Sequence, residues 1–247
     1  MPRLWIGLSG YSYKPWQGEG RFYPPDIKQS GFLAYYAGRY PAVEMDGTWY
    51  RMPGEKAVQE WGANSPPGFR FSFKLHRQIT HMARLKLESI DSLRFMLKRL
   101  GPLAAGGKLG PLLIQLPPNM KRNDERLSQF LENLPIEIEG VAPLSRPLEW
   151  AVEFRHESWN AKEVEEIMRR RRVAWVAADT DEAAAQRRDT GSCHYARLRR
   201  SEYSEDALAD WGRYFAQTGK DCYVYCKHED EGAPWIWADL LARQQIT

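Results

Sequence analysis

The stretch AVEFRHESW, residues 151–159, begins as an apolar strand and ends in charged side chains. Side chains alternate between the two faces of a β-strand, so Val152 and Phe154 share one face and Glu153 and Arg155 share the other. An apolar face packs against helices, which leaves the acid and the guanidinium on the opposite face. The stretch therefore predicts a buried strand that carries polar groups to a functional end.

This strand is one of eight that alternate with helix-period segments. The predicted strands are LWIGLS, AVEMD, FRFSFK, PLLIQL, EWAVEF, VAWVAA, CHYARLR and CYVYCK, and the predicted helix N-caps are Asn123, Asn160 and Ser204. The chain of 247 residues contains no linker or low-complexity tract. This order predicts an α/β protein, a single (β/α)8 TIM-barrel domain over residues 1–247, in preference to an open doubly wound sheet. DEAAAQRRD, residues 181–189, is the weakest of the predicted helices.

Composition restricts the function classes. The chain is 43% hydrophobic and 27% charged, and its net charge of +3 is too small to imply a nucleic-acid partner by itself. The first residues lead directly into a strand and no apolar run approaches about 18 residues, so we expect a cytoplasmic protein with no membrane partner. Cys193, Cys222 and Cys226 have no CxxC spacing and are predicted to be reduced core residues.

The alternation rule predicts that polar side chains converge inside the barrel. The predicted inward set is Ser9, Glu44, Asp46, Arg70, Ser72, Lys74, Gln115, Glu153, Arg155, Asp179, Arg197, Arg199 and Lys227. In strand six, Asp179 is placed inward, opposite Val176 and Ala178. Barrel enzymes carry their sites at the carboxyl ends of the strands. A structural network of ion pairs is the alternative, but buried ion pairs seldom add net stability, so ligand binding is favoured.

Several phrases along the chain resemble a known family. LSGYSYKPW, FYPPD, YYAGRYPAVEMDGTWYRMP, GFRFSFKLHRQITH, LGPLLIQLPP, AVEFRHESW, ADTDE, YARLRRSEY and VYCKHEDEG are similar, in order and over nearly the whole chain, to the domain of unknown function 72 family, also called YecE-like. The resemblance implies a TIM barrel without an established reaction. The positions it covers are Ser9 to Tyr13, Glu44, Thr48, Tyr50, Lys74, His81, Gln115, Glu153, Arg155, His156, Trp159, Asp179, Arg197 and Arg199.

The chain also departs from the family pattern at three places. Asp46-Gly47 stands where Asn is expected, and Leu75-His76 stands where smaller residues are usual. The sequence at residues 227–229, KHE, resembles one branch of the family, whereas other branches carry an Asn-Asn-Asp pattern. These departures imply that members of the family need not share one substrate.

The residue types favour acid–base chemistry on an anionic compound. Glu44 and Glu153 are the candidate base or acid, Asp179 an orienting group, and His156 and His228 further candidate acids. Arginine forks suit phosphate or carboxylate, and the ends of strands seven and eight often hold phosphate in barrels. The predicted binding residues are Ser9, Tyr11, Tyr13, Asp46, Tyr50, Lys74, Gln115, Arg155, Trp159, Arg197, Arg199 and Lys227.

Other chemistries remain alternatives. Five inward cations oppose a divalent metal, so no metal and no cofactor are predicted. Lys74 or Lys227 could form a Schiff base if desolvated, although lysines among arginines are more often binding groups. Aromatic residues of the predicted top loops could stack a sugar or a nucleobase: Tyr11, Tyr13, Trp16, Trp49, Tyr50 and Trp159. The sequence thus predicts an enzyme for a small anionic or polyhydroxylated substrate, with nucleic-acid binding or cleavage and a non-catalytic scaffold as alternatives.

Overall fold

The strands of the protein form a closed parallel barrel. The computed structural model describes residues 2–227 and 233–243. The strands pair in chain order, and the first also pairs with the last. They are β1 Leu4–Ser9, β2 Ala42–Met45, β3 Arg70–Lys74, β4 Leu109–Gln115, β5 Trp150–Glu153, β6 Ala174–Ala178, β7 His194–Leu198 and β8 Cys222–Cys226. The predicted (β/α)8 TIM barrel is confirmed.

Helices cover the outside of the barrel. Within the described residues they are α1 Phe32–Ala37, α2 Glu55–Ala63, α3 Ile90–Ala105, α4 Asp124–Glu132, α5 Lys162–Arg170, α6 Glu205–Gln217 and α7 Pro234–Arg243. Shorter helical turns follow several strands, among them Gly47–Trp49 after β2 and Glu157–Trp159 after β5. None of the helices in residues 2–227 and 233–243 is long and apolar enough to cross a membrane.

The connection between β6 and β7 contains no helix, so the helix predicted over residues 181–189 is wrong. Its alanines offer no apolar face of helical period to bury. Two arginines attach the segment to the barrel instead. The Arg187 guanidinium lies 4.0 Å from the Trp211 ring centre, and that of Arg188 lies 4.1 Å from the Trp175 ring centre. Stacked guanidinium groups thus cover the surface that a helix would otherwise bury.

Two of the three predicted N-caps are confirmed. Asn123 Oδ1 accepts a hydrogen bond from the amide of Arg126 at 2.8 Å, and Ser204 Oγ accepts one from Ala207 at 3.2 Å. Asn160 does not cap α5, because that helix begins at Lys162 after Ala161. The Asn160 side chain accepts a hydrogen bond from Arg188 instead.

Two separate apolar clusters lie on the two faces of the closed sheet. The outer cluster joins one face of the strands to the helices, and the inner cluster fills the barrel. Aromatic rings occupy most of the inner space: Trp5 stacks on Tyr223 at 6.0 Å between ring centres, and Tyr195 contacts Tyr225 at 5.3 Å. The barrel interior is therefore filled by side chains below its carboxyl end.

The predicted alternation is wrong in β6. Val176 belongs to the inner cluster with Ala178 packed against it, whereas Trp175 and Ala177 pack outward against the helices. The strand AWVAA is apolar on both faces, so only Asp179 indicated which residues should face the barrel interior. Asp179 lies one residue past the strand, where the alternation no longer applies. In a strand without internal polar residues, the sequence therefore does not show which residues face inward.

A tyrosine of α1 completes the hydrogen bonding between β1 and β2. The Tyr36 hydroxyl accepts a hydrogen bond from the Leu8 amide at 2.6 Å and donates one to the Ala42 carbonyl at 2.8 Å. The neighbouring strand residue must be glycine, because a Cβ at Gly7 would lie 2.0 Å from the Ala42 oxygen. Tyr36 is fully buried, so water does not replace its hydroxyl.

Replacing Tyr36 with Phe should destabilise the barrel, because it leaves two buried backbone groups unpaired at about 1–3 kcal/mol each. Urea denaturation of the variant measures this loss. Tyr35→Phe is the matched control: Tyr35 is 39% exposed, and its variant should stay within about 0.5 kcal/mol of the wild type. Equal stability of the two variants would show that the Tyr36 hydroxyl does not join the strands.

Candidate functional site

Arg197 connects three strands at the carboxyl end of the barrel. It lies in β7 and is fully buried. Its Nη2 donates to Glu44 Oε1 of β2 at 2.8 Å, and its Nη1 donates to Glu153 Oε2 of β5 at 2.6 Å. None of these strands neighbours another in the barrel order. One guanidinium therefore bridges carboxylates that come from separate parts of the wall.

Glu44 has hydrogen bonds at both oxygens. In addition to Arg197, Ser9 Oγ donates to Oε1 at 2.5 Å and the Tyr195 hydroxyl donates to Oε2 at 2.6 Å. Burial by itself would raise the pKa of Glu44. The Arg197 charge and these hydrogen bonds outweigh burial and hold the pKa below its ordinary value.

Glu153 has a similar environment. Gln115 Nε2 donates to its Oε2 at 2.9 Å, and Arg155 Nε donates to its Oε1 at 2.9 Å. Burial opposes ionisation, but the charges of Arg197 and Arg155 lower the pKa of Glu153 far below its ordinary value. Both glutamates are thus ionised at neutral pH and already accept hydrogen bonds, which suits charge placement better than the proton transfer expected from the sequence.

Cations predominate above these two glutamates. Among the described residues, the cations of the mouth are Lys74, Arg155, Arg197, Arg199 and Lys227, and the carboxylates are Glu44, Asp46, Glu153 and, at the edge, Asp179 with its partner Arg200. Arg155 keeps 29% of its side chain exposed. Arg199 Nη1 lies 4.0 Å from Glu153 Oε1. The surplus of positive charge favours an anionic ligand.

Lys74 is a cation of the mouth whose pKa is lowered. It ends β3, and its Nζ lies 4.8 Å from the Trp49 ring centre. Burial is the largest cause, and the charges of Arg197 and Lys227 act in the same direction, lowering the pKa of Lys74 to about 8. Among the described residues, no carboxylate oxygen lies within 4.0 Å of this amine. Lys74 therefore exchanges its proton close to physiological pH.

His81 lies beside Lys74. The family resemblance covers this position, and strand alternation does not predict it. The Trp49 indole N–H donates to His81 Nδ1 at 3.3 Å. Thr80 Oγ1 lies 2.8 Å from the same nitrogen, and indole is a donor only, so we assign the proton of the neutral imidazole to Nε2. Burial, followed by the charges of Lys74 and Arg155, lowers the pKa of His81 to about 4. His81 is thus a neutral hydrogen-bond donor at the mouth.

Asp179 lies at the edge of this cluster. It accepts hydrogen bonds from the backbone amide of Arg199 at 2.9 Å and from the Tyr203 hydroxyl at 2.5 Å, and it lies 3.2 Å from Arg200 Nε. Its hydrogen bonds go to the β7–α6 connection rather than to the Glu44–Arg197–Glu153 network. This position corrects the predicted inward direction, and the contact with Arg199 is consistent with an orienting role.

A cavity of about 360 Å³ opens at the ends of β1 and β2. The predicted binding residues Tyr11, Tyr13, Asp46 and Tyr50 line it. The Tyr13 hydroxyl donates to Asp46 Oδ2 at 2.8 Å, and Tyr13 lies close enough to Glu44 and Arg197 to sense their charges. The cavity has the size of a small-molecule site and adjoins the ionic network.

Other predicted site residues serve the loops. Trp159 is buried, stacks on Phe154 and donates to the Met120 carbonyl at 2.7 Å, so its ring packs within the loops and its contact with a substrate stays a prediction. His156 caps the turn Glu157–Trp159 by accepting from the Ser158 amide at 3.1 Å. The predicted acid His228 lies outside the described residues.

The three cysteines are free and buried. In the described part of the chain, no group of three or more His, Cys, Asp and Glu residues could hold a metal ion.

The family described as "Protein of unknown function DUF72" matches residues 5–246. The chain belongs to this family. It is 30% identical to the UPF0759 protein YecE of Escherichia coli K12 over 164 residues, 66% of this chain and 52% of YecE. The UPF0759 protein YunF of Bacillus subtilis is 26% identical over 162 residues, 63% of this chain and 52% of YunF. The chain thus spans about half the length of the curated relatives it matches.

Solved structures of two DUF72 proteins share the fold. One from Thermotoga maritima has a TM-score of 0.82 and 24% identity, covering 99% of both chains. One from Enterococcus faecalis has a TM-score of 0.74 and 19% identity, covering 100% of this chain and 99% of the other. These similarities show the fold of this DUF72 chain.

Replacing Glu153 with Gln should cost about 3–5 kcal/mol at neutral pH, since Arg197 then keeps a weaker partner in a buried position. Because the pKa of Glu153 is lower in the folded state than its ordinary 4.5, its contribution is present above that pH and is lost as the pH falls through the folded value. Urea denaturation at about pH 7 and about pH 3 should therefore show a weaker pH dependence in the variant than in the wild type.

The control is Glu55→Gln, which removes an exposed partner of Arg99 and should cost no more than about 1 kcal/mol. If Glu153→Gln behaves like this control, the buried network does not stabilise the fold.

Proposed function

We propose that this DUF72 protein is an enzyme that binds a small anionic compound at the carboxyl mouth of the barrel and transfers a proton to or from it. The observation that carries the proposal is the charge of the mouth: among the described residues, Lys74, Arg155, Arg199 and Lys227 lie around the network that Arg197 forms with Glu44 and Glu153. Glu44 and Glu153 share Arg197, and Glu153 is also paired with Arg155, so two carboxylates face several cations.

Arg155 is the best placed group for direct binding. Its Nε donates a hydrogen bond to Glu153. Among the described residues, neither of its Nη groups has a hydrogen bond to the protein. A planar pair of N–H groups suits a carboxylate or phosphate bidentately. Arg199 and Lys227 contribute further positive charge, and the adjoining cavity offers Tyr13 and Asp46 to ligand hydroxyl groups. An anionic compound that also carries hydroxyl groups would engage both sides of the mouth.

Proton transfer is assigned to Lys74, with Glu44 and Glu153 as the groups that hold Arg197. A group with a pKa of about 8 exchanges protons readily near neutral pH, which the saturated glutamates do not. We assign His81 the role of a neutral donor that polarises a substrate oxygen through Nε2–H; its Nδ1 already accepts from Trp49. This division keeps the acid–base chemistry expected from the sequence and moves it from the glutamates to Lys74.

Nucleic-acid binding is less well supported, because most rim aromatics are engaged with the protein. Trp16 and Trp159 are buried, Tyr11 accepts a hydrogen bond from Trp61, and Tyr13 packs on Trp16 at 4.8 Å between ring centres. Tyr50 alone of the six predicted rings has most of its side chain, 70%, exposed. Stacking of successive bases requires several free ring faces.

Thermal-shift measurements with matched ligand pairs test the proposal. Glycerol phosphate and citrate should raise the melting temperature, and glycerol should not, because only the anions gain charge-assisted hydrogen bonds. Arg155→Ala should weaken binding of the anion by about tenfold or more, equivalent to the 1.5–3 kcal/mol of such bonds. The exposed control Arg94→Ala, whose partner is Asp91, should bind as the wild type does.

Three results would contradict the proposal. Stabilisation by oligonucleotides that falls steeply with salt would indicate a nucleic-acid partner. Equal stabilisation by glycerol and glycerol phosphate would remove the role of charge. No response to any anion would favour a scaffold.

A further inference from the structure

We infer that Lys74 forms an imine with the carbonyl carbon of a small aldehyde or ketone that carries a carboxylate or phosphate. The inference rests on the proposed anion site and names the class of substrate it takes. Three features of Lys74 carry it: its place at the end of β3, the absence of a carboxylate partner among the described residues, and its contact with Trp49.

The position of Lys74 resembles that of a nucleophile more than that of a binding group. Two buried carboxylates lie in the same mouth, yet both are held by Arg197 rather than by the amine. The Lys74 carbonyl accepts a hydrogen bond from Thr48 Oγ1 at 2.7 Å, which fixes the backbone from which the side chain extends. A half-buried amine without a counterion among these residues is held in the state that favours loss of its proton.

The surroundings of the amine fit a carbonyl compound. The Trp49 ring gives an apolar surface next to Nζ, which shields an imine from water. His81 contacts the same ring at 4.9 Å between centres and offers Nε2–H to an oxygen. Arg155 and Arg199 hold positive charge for the carboxylate or phosphate at the other end of the molecule. These groups together select a small anionic carbonyl compound.

The chemistry balances without an external oxidant or reductant. The neutral Nζ attacks the carbonyl carbon, and its proton moves to the carbonyl oxygen to give a carbinolamine. The C–O bond then breaks, and the hydroxyl group leaves as water after taking up the second proton of Nζ. A C=N bond forms. Protonation of this imine makes it an electron sink for removal of a proton from the adjacent carbon.

Reductive trapping tests the inference. The intact protein is incubated with glyoxylate, glycolaldehyde phosphate or neutral glycolaldehyde, treated with borohydride, and mapped by peptide mass spectrometry. We expect the secondary-amine adduct at Lys74, formed about tenfold faster with glycolaldehyde phosphate than with glycolaldehyde because the anion is bound first. The rate should rise with pH and level off above about 8, where the amine is neutral.

Matched variants assign the adduct. Lys74→Arg should lose the label and keep the melting temperature of the wild type. Lys86→Arg, at an exposed lysine, should keep the label. If Lys74→Arg does not fold, the peptide map of the wild type decides. Phosphoglycolate, an anion without a reactive carbonyl, should slow labelling of Lys74 and leave exposed lysines unaffected.

The outcomes separate this inference from the proposed function. Stabilisation by phosphoglycolate without an adduct at Lys74 would overturn the imine and leave the anion site in place. Labelling spread over exposed lysines, or equally fast with neutral glycolaldehyde, would also overturn it. If phosphoglycolate neither stabilises the protein nor protects Lys74, both proposals fail.

Discussion

The site of this protein depends on one buried guanidinium shared by two carboxylates. Arg197 hydrogen-bonds to Glu44 and Glu153, which reach it from β2 and β5. Desolvation of three charges is costly, and their mutual attraction together with hydrogen bonds from Ser9 and Gln115 offsets it. Without the guanidinium, two buried anions would remain inside one barrel. The positions of the other polar groups at the mouth follow from this arrangement.

Among the described residues, the cations around this network outnumber its two glutamates. Arg155 and Arg199 approach the oxygens of Glu153 from above, and Lys74 has no carboxylate of its own among the described residues. Burial, together with the neighbouring cations, lowers the pKa of Lys74 to about 8 and that of His81 to about 4. Charges deep in the barrel thus act on the pKa of the groups at its mouth.

The sequence predicted the barrel because eight short apolar runs alternate with helix-period segments, and the alternation of side chains within each strand then indicated which residues face inward. Glu44, Gln115, Glu153 and Arg197 were placed inside by that alternation alone. The alternation gave the wrong faces for β6, whose residues are apolar on both sides. The direction of the Asp179 side chain depends on tertiary contacts with Tyr203 and Arg200. The loop contacts that engage Trp159, and the pairing of Trp49 with His81, join residues distant in sequence and have no local signal.

The aromatic side chains that fill the barrel limit the directions from which a molecule can reach the mouth. Tyr225 bonds to Ser72 at 2.7 Å, Tyr195 reaches Glu44, and the stacked pair of Trp5 and Tyr223 closes the space beneath them. In the described part of the chain these packed rings leave no passage, so Lys74 is reached from the carboxyl end of the barrel. A compound bound at the mouth, as we propose, would therefore enter and leave on the same side.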